Sequence, residues 1–153
     1  MIISIGCDHW GIEMKNYIIM HLKNNGIVIN SYGPNEKSNK KVDYVDYAIR
    51  VGEDIKNNNA DFGILICRTG IGMSIACNKV KNVRCAKVDN ENEAVLARTD
   101  DNANVIALSA EKENEEVLKF VKLFLETKFS LEERYKKRLD KIKAYESSQN
   151  GKV

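Results

Sequence analysis

The chain has 153 residues, of which 43% are hydrophobic and 30% charged, so it is long enough for one domain with a buried core and too short for two ordinary domains. Its 24 basic and 22 acidic residues leave a formal charge of only +2. Neither a basic block nor an apolar run of ~20 residues is present, which argues against nucleic-acid and membrane partners and favours a soluble protein.

Short β-branched runs alternate with segments of helical period. In chain order the pattern predicts strand 2–5, helix 11–24, strand 27–30, helix 44–57, strand 62–66, helix 72–79, strand 84–88, helix 92–98, strand 105–108, and helices 113–127 and 131–145. The alternation is typical of an α/β fold, here a doubly wound three-layer sandwich with a five-stranded parallel sheet and an extra C-terminal helix. Residues 1–146 are predicted to form this single domain, and residues 147–153 a disordered tail.

The helical periods also predict which side chains face the core. The first helix places one stripe inward (Met14, Tyr17, Ile18, His21, Leu22) and another outward (Lys15, Lys23, Asn24). The helix at 113–127 turns Val117, Phe120, Val121 and Phe124 inward. The last helix has too few apolar positions for a core helix, so we expect it on the surface or against a second subunit.

The cysteines give no sign of a metal site or of disulfides. Cys7, Cys67, Cys77 and Cys85 form no CxxC pair, and the chain has only two histidines to complete a zinc site. The first residues also lack a charged leader with a cleavage site. We therefore expect reduced thiols, a cytoplasmic protein, and neither metal nor cofactor.

Two groups of polar residues follow neighbouring strands. Asp8 and His9 come after the first strand, and the turn at 67–72 comes after the third. Ligands of a doubly wound sheet bind outside the carboxyl ends of its strands, so the two groups should meet there. An isolated Asp-His pair is more often a helix cap than a catalytic couple.

The turn Cys67-Arg68-Thr69-Gly70-Ile71-Gly72 connects a strand to a helix. Unpaired backbone N–H groups at such a helix start suit a phosphate or a developing oxyanion, and they favour the thiolate form of a cysteine. The alternative is a packing turn around a buried cysteine. The turn lacks the lysine of a Walker loop, and Met73 stands where a cysteine phosphatase would have arginine.

Arg134 and Arg138 are four residues apart, so they share one helix face and can converge on a phosphate. The alternative is a solvated face in which they pair with neighbouring acidic residues.

Together, Gly6-Cys7-Asp8-His9, the segment 63–80, Asn102-Ala103-Asn104-Val105-Ile106, and the pair Arg134 and Arg138 resemble the type B ribose-5-phosphate isomerases, in the family shared with the galactose-6-phosphate isomerase subunits. The resemblance runs from the first strand to about Tyr145. It implies a Rossmann-like domain, a homodimer or dimer of dimers with sites between subunits, and metal-free aldose–ketose isomerisation of a sugar phosphate.

The resemblance also implies residue roles. Cys67 would move a proton between C2 and C1 of the open-chain sugar, with Thr69 and Asp100 as the other catalytic residues. The implied substrate-binding set is Asp8, His9, Arg68, Gly70, Ile71, Gly72, Met73, Asp101, Arg134 and Arg138. Among these, His9 and the two arginines of the last helix would bind the phosphate.

Three positions depart from the family pattern. Asp100 stands in place of a ring-opening histidine, although an aspartate is ordinarily ionised at neutral pH, where ring opening needs a proton donor. Arg68 replaces a glycine, and Glu111 replaces an arginine that assists the phosphate, with Lys112 as its neighbour. A hexose 6-phosphate isomerase and a non-catalytic sugar-phosphate-binding module therefore remain alternatives to a ribose 5-phosphate isomerase.

Overall fold

A five-stranded sheet in the order β2-β1-β3-β5-β4, with all pairs parallel, forms the centre of the computed structural model, which describes residues 1–149. The strands are β1 (Ile2–Cys7), β2 (Val28–Tyr32), β3 (Phe62–Cys67), β4 (Cys85–Lys87) and β5 (Val105–Ser109). The predicted doubly wound sheet is confirmed. β1 runs two residues further than expected because its ladder with β3 continues to the pair Cys7 and Ile66.

Helices cover both faces of the sheet. One face carries α1 (Ile12–Asn24), α4 (Glu91–Thr99) and α5 (Asn114–Glu126), and the other carries α2 (Tyr44–Lys56) and α3 (Ile71–Cys77). The apolar strands β1, β3 and β5 lie between two hydrophobic clusters, as expected for strands covered on both sides. The predicted inward stripe of α5 is buried, so the period assigned to that helix is correct.

The outward position predicted for Lys15 is wrong. Its side chain is 0% exposed, and Nζ donates to the carbonyl oxygens of Tyr32 (3.2 Å) and Gly33 (3.3 Å) and to Oδ1 of Asn35 (2.9 Å). These acceptors belong to the last residue of β2 and to the loop that follows it over α1, so helical periodicity alone could not predict them. Burial lowers the pKa of Lys15, and the neighbouring Cys7 thiol partly opposes this shift.

The last helix, α6 (Glu133–Gln149), lies on the surface, as expected. None of its described side chains is buried, and the Asn82 N–H donates a bifurcated hydrogen bond to both carboxylate oxygens of Glu146, each at 3.0 Å. Residues 147–149 continue this helix instead of beginning the predicted tail, and residues 150–153 of that tail lie outside the described residues. Within residues 1–149, no helix is long and apolar enough to span a membrane.

Candidate active site

Cys67 is the last residue of β3, and its thiol lies under the start of α3. The side chain is 5% exposed, and Sγ accepts a hydrogen bond from the Gly70 N–H at 3.1 Å. Gly70 has a φ of 81°, and a Cβ there would lie 3.1 Å from the backbone C and O of Leu108. Only glycine fits this turn comfortably, and the turn directs a backbone donor at the sulfur.

The rest of the turn provides further polar groups. The Thr69 hydroxyl accepts from the Ile71 N–H at 3.3 Å, which leaves the hydroxyl proton available to a ligand. Met73 is 0% exposed and packs in the core, so only its backbone can serve the site. The turn therefore offers N–H groups at a helix start, as the sequence predicts.

Sequence analysis did not single out Tyr44, which belongs to this site. A Cβ on Gly72 would lie 2.5 Å from Cζ of Tyr44, so the tyrosine ring covers the first turn of α3. Tyr44 is the first residue of α2, whose start is capped by Asp43. The sequence signal for its place in the site is a tyrosine at the start of a helix, directly after a capping aspartate. Helices that follow parallel strands begin at the carboxyl edge of the sheet, where the site lies.

Asp8 and His9 lie beside Cys67, as predicted. The Asp8 N–H donates to the Ile66 carbonyl at 3.3 Å, which continues the β1–β3 ladder and puts Asp8 on the same face of the sheet as Cys67. Asp8 is 5% exposed, and its Oδ1 accepts from the Trp10 N–H at 2.9 Å. Burial raises the pKa of Asp8, and the hydrogen bond from the Trp10 N–H is the largest effect that opposes this shift.

His9 has an unsatisfied polar atom. Its Nδ1 is buried and has no hydrogen-bond partner among residues 1–149. A buried polar atom without a partner is costly, and a ligand that donates to or accepts from this nitrogen would remove the cost.

The rim of this edge carries Arg68, Trp10 and Glu111. The Arg68 guanidinium lies 5.8 Å from the Trp10 ring centroid, and its Nε lies 3.6 Å from Oε1 of Glu111. Both side chains are more than half exposed, so this ion pair at the rim is a weak contact. A cavity of about 350 Å³ next to Thr69 is lined by Lys87, Ser109 and Lys112 among others, while a larger one of about 700 Å³ lies under α6, away from Cys67.

The remaining predicted site residues lie at the opposite edge of the sheet. Asp100 ends α4 and Asp101 precedes β5, so both are at the amino ends of the strands. Oδ1 of Asp100 accepts from the Thr99 hydroxyl at 2.9 Å.

Arg134 and Arg138 belong to the same edge. α6 lines a cavity there with residues that precede β3, β4 and β5. The hydrogen bond from Arg134 to Glu132 (2.9 Å) raises the pKa of that guanidinium, and the charge of Asp100 adds to the shift. Arg138 lies over the Tyr135 ring, 5.6 Å from its centroid. The alternative interpretation, a solvated helix face with salt bridges, therefore accounts for the pairing of Arg134 with Glu132.

The predicted site residues thus form two groups in one chain. The group around Cys67 lies at the carboxyl edge and the group around Asp100 at the amino edge. A strand such as β5, Val105–Ser109, spans about 13 Å over its four intervals of ~3.3 Å. Side chains cannot bridge this distance around a small ligand, so one chain alone does not bring the two groups together.

Known proteins resemble this chain over nearly its whole length. Residues 3–142 match the family model described as Ribose/Galactose Isomerase. A Mycoplasma genitalium structure titled ribose-5-phosphate isomerase B with bound ribulose-5-phosphate is 42% identical, with a TM-score of 0.89 and coverage of 95% of this chain and 96% of that one. A Clostridium thermocellum ribose-5-phosphate isomerase B structure is 35% identical, with a TM-score of 0.91 and coverage of 97% and 99%.

A curated sequence relative agrees with the two structures. A Listeria innocua protein named ribose-5-P isomerase B is 41% identical over 110 residues, which is 72% of this chain and 73% of that protein. The family match, the shared fold and the identity all extend over most of the sequence. The chain belongs to the ribose/galactose isomerase family.

Proposed function

We propose that this chain is an aldose–ketose isomerase that interconverts ribose 5-phosphate and ribulose 5-phosphate. The observation that carries the proposal is the Cys67 thiol, which accepts the Gly70 N–H at 3.1 Å under the start of a helix. The names of several relatives and the bound ribulose 5-phosphate of the Mycoplasma genitalium structure support the substrate.

In the proposed reaction, the Cys67 thiolate removes the proton from C2 of the open-chain aldose. The C–H electron pair forms the C1–C2 double bond, and the C1 carbonyl oxygen becomes the negative oxygen of an enediolate. The thiol then returns the proton to C1, while the C2 hydroxyl loses its proton to the C1 oxygen and becomes the ketose carbonyl. No atom is gained or lost, as isomerisation requires.

The backbone amides between Thr69 and Met73 would stabilise the negative oxygen. One donor aimed at a developing oxyanion is worth roughly 3 kcal/mol of barrier in a site that excludes water. Thr69 and Asp8 would orient the sugar hydroxyls. Arg68, which lies 3.6 Å from Glu111 at the exposed rim, would contribute its charge near the entrance.

Cys7 is a second buried thiol, but its surroundings suit a catalytic base less well than those of Cys67. It also ends a strand, but its burial raises the pKa of that thiol from 9.0 to about 11, so it stays protonated near neutral pH. Its acceptor is the Pro34 carbonyl at 3.7 Å, whereas Cys67 receives an N–H donor. A donated hydrogen bond stabilises a thiolate, and an accepting carbonyl does not.

The phosphate and the closed sugar ring would be handled by residues from two copies of the chain. His9, with its unsatisfied Nδ1, would meet Arg134 and Arg138 of a second copy around the phosphate, and Asp100 and Asp101 of that copy would meet the ring. The position of the two groups at opposite edges supports this arrangement, in which the working unit would be a homodimer or a dimer of dimers. Four free thiols fit a cytoplasmic setting.

The test is the rate of ribulose 5-phosphate formation by the wild type, by Cys67→Ala and by a control, Cys85→Ala. Loss of a positioned general base lowers turnover by ~10²–10⁴-fold. We expect this loss in Cys67→Ala only. Full turnover by Cys67→Ala would exclude the mechanism.

Galactose and other hexose 6-phosphates are the competing substrates, because the matched family model also covers galactose isomerases. Initial rates across pentose and hexose phosphates decide between them. Thermal stabilisation by ribose 5-phosphate without any product would instead indicate a binding module.

A further inference from the structure

Arg98 is a buried arginine whose hydrogen bonds connect two separate loops. It belongs to α4 and is 8% exposed. Its Nη1 donates to Oδ1 of Asn102 (2.9 Å) and to the Ala103 carbonyl (2.6 Å), and its Nε donates to the Thr127 carbonyl (3.1 Å). One guanidinium therefore ties the turn between α4 and β5 to the end of α5.

The surroundings of Arg98 suit a structural clamp better than an ion pair. Its guanidinium carbon lies 4.9 Å from the Phe62 ring centroid and 5.7 Å from that of Phe124. Among residues 1–149, no carboxylate forms a salt bridge with it. Burial, with the charge of Arg84, lowers its pKa. Burying a charged guanidinium costs desolvation free energy. Arg98 offsets this cost with charge-assisted hydrogen bonds, and all of their acceptors are loop oxygens.

Both loops hold backbone conformations that need support. Asn102 has a φ of 44° and Leu131 a φ of 62°, in the left-handed region that non-glycine residues rarely adopt. The Ser130 N–H donates to the Thr99 carbonyl at 3.1 Å, a second connection between the same loops. Such conformations persist where surrounding contacts hold them.

These two loops carry the residues at the amino edge of the sheet. The first contains Asp100 and Asp101, and the second leads directly into α6 with Arg134 and Arg138. We propose that Arg98 is a positioning residue that joins the Asp100–Asp101 turn to the start of α6, so that one copy presents both to its partner's Cys67 as a single rigid unit. The inference rests on the proposed function, and it assigns Arg98 no contact with the substrate.

The first test uses Arg98→Lys, which keeps the charge but cannot reach all three acceptors, and Asn102→Gly, which removes one acceptor and also relieves the left-handed strain. The matched control is Asp54→Asn. Asp54 is likewise 8% exposed, and it accepts at 2.8 Å from Ser4 of β1 and Tyr32 of β2, neither of which belongs to the two loops joined by Arg98. We expect kcat/KM for ribose 5-phosphate to fall at least ~10-fold in both test variants, with KM raised, and to stay unchanged in the control below its melting temperature.

A readout independent of activity is hydrogen exchange. In Arg98→Lys, amides 99–103 and 127–134 should exchange faster together, while those of β1 and β3 keep their protection. Unchanged exchange at these loops would overturn the proposed connection even if the wild type had no isomerase activity.

The sharpest test is complementation between two impaired variants. Arg98→Lys keeps a native Cys67, and Cys67→Ala keeps a native amino-edge group. After subunit exchange, verified by co-purification of differently tagged copies, each mixed dimer holds one site with both groups native, which gives about a quarter of the wild-type rate in an equal mixture.

The outcomes separate the two proposals. Mixed dimers without recovered activity, or folded Arg98→Lys and Asn102→Gly proteins with wild-type kinetic constants, would overturn the role of Arg98. A wild-type protein that does not isomerise ribose 5-phosphate would overturn the proposed function instead.

Discussion

Replacing Gly70 by alanine tests whether the turn after Cys67 is built for its sulfur. Gly70 has a φ of 81°, and an added Cβ would lie 3.1 Å from both C and O of the Leu108 backbone. Backbone atoms inside a parallel sheet cannot rotate away. The alanine would therefore shift the turn and move the N–H that now lies 3.1 Å from Sγ of Cys67.

Gly26 provides a matched control for the size of this effect. Its φ is 74°, but an added Cβ would meet nothing within 4 Å. Alanine in the left-handed region costs about 1–2 kcal/mol at either position. Overpacking against Leu108 should add about 1–3 kcal/mol at Gly70 alone. For a chain of this size, each kcal/mol lowers the melting temperature by roughly 2–4 °C.

Thermal unfolding and steady-state kinetics of the two variants, measured side by side, check the reasoning. Gly70→Ala should melt several degrees below Gly26→Ala. It should also lose roughly 10–10²-fold in kcat, because a hydrogen bond to a charged group such as the Cys67 thiolate is worth about 1.5–3 kcal/mol, while Gly26→Ala keeps wild-type kcat. Equal melting temperatures and equal kcat values in the two variants would refute both the strain argument and the role of the turn.

Two further substitutions test buried charges. Because burial raises the pKa of Asp8, the folded state resists its ionisation, so Asp8→Asn should melt higher than wild type at pH 7 and lose activity. This advantage should shrink as the pH falls through the raised pKa of folded Asp8, and it should be gone below the ordinary aspartate value of about 3.9; an advantage that is unchanged at pH 3 would contradict the assignment. Lys15→Met leaves three loop oxygens without their donor, and we expect a loss of about 2–4 kcal/mol in urea unfolding, with Lys23→Met as an exposed control. Equal unfolding midpoints for these two variants would show that the buried ammonium does not stabilise the loop after β2.

The sequence was sufficient to predict the sheet and the group around Cys67. Apolar runs alternating with helical periods determine a parallel sheet, and a parallel sheet brings the ends of neighbouring strands together. Asp8 therefore lies beside Cys67 as predicted, because β1 and β3 are neighbours. The turn at 67–72 could also be predicted, because it contains the glycines that a tight strand-to-helix connection requires.

The hydrogen bonds that loops accept from helix side chains could not be predicted from the sequence. Lys15 has a polar position in the helical pattern, yet its ammonium is buried because residues 32–35 fold over it. Arg98 reads as an ordinary helix cation, although its partners, Asn102 and Thr127, lie in two different loops. Periodicity describes one helix at a time, so it carries no information about which loop will supply an acceptor.

The two edges of the sheet give the proposed chemistry its physical logic. A thiolate next to a phosphate repels it, so the thiol and the phosphate-binding arginines are best placed at opposite ends of the substrate. In one chain, the sheet separates Cys67 at the carboxyl edge from Arg134 at the amino edge. In the proposed dimer, a second copy whose amino edge faces this carboxyl edge would bring its arginines to about one substrate length from Cys67. If the proposed dimer holds the substrate in this way, rigid support of the amino edge is as important as the thiol turn, since an arginine group displaced by 1 Å would hold the sugar carbon out of reach of the sulfur.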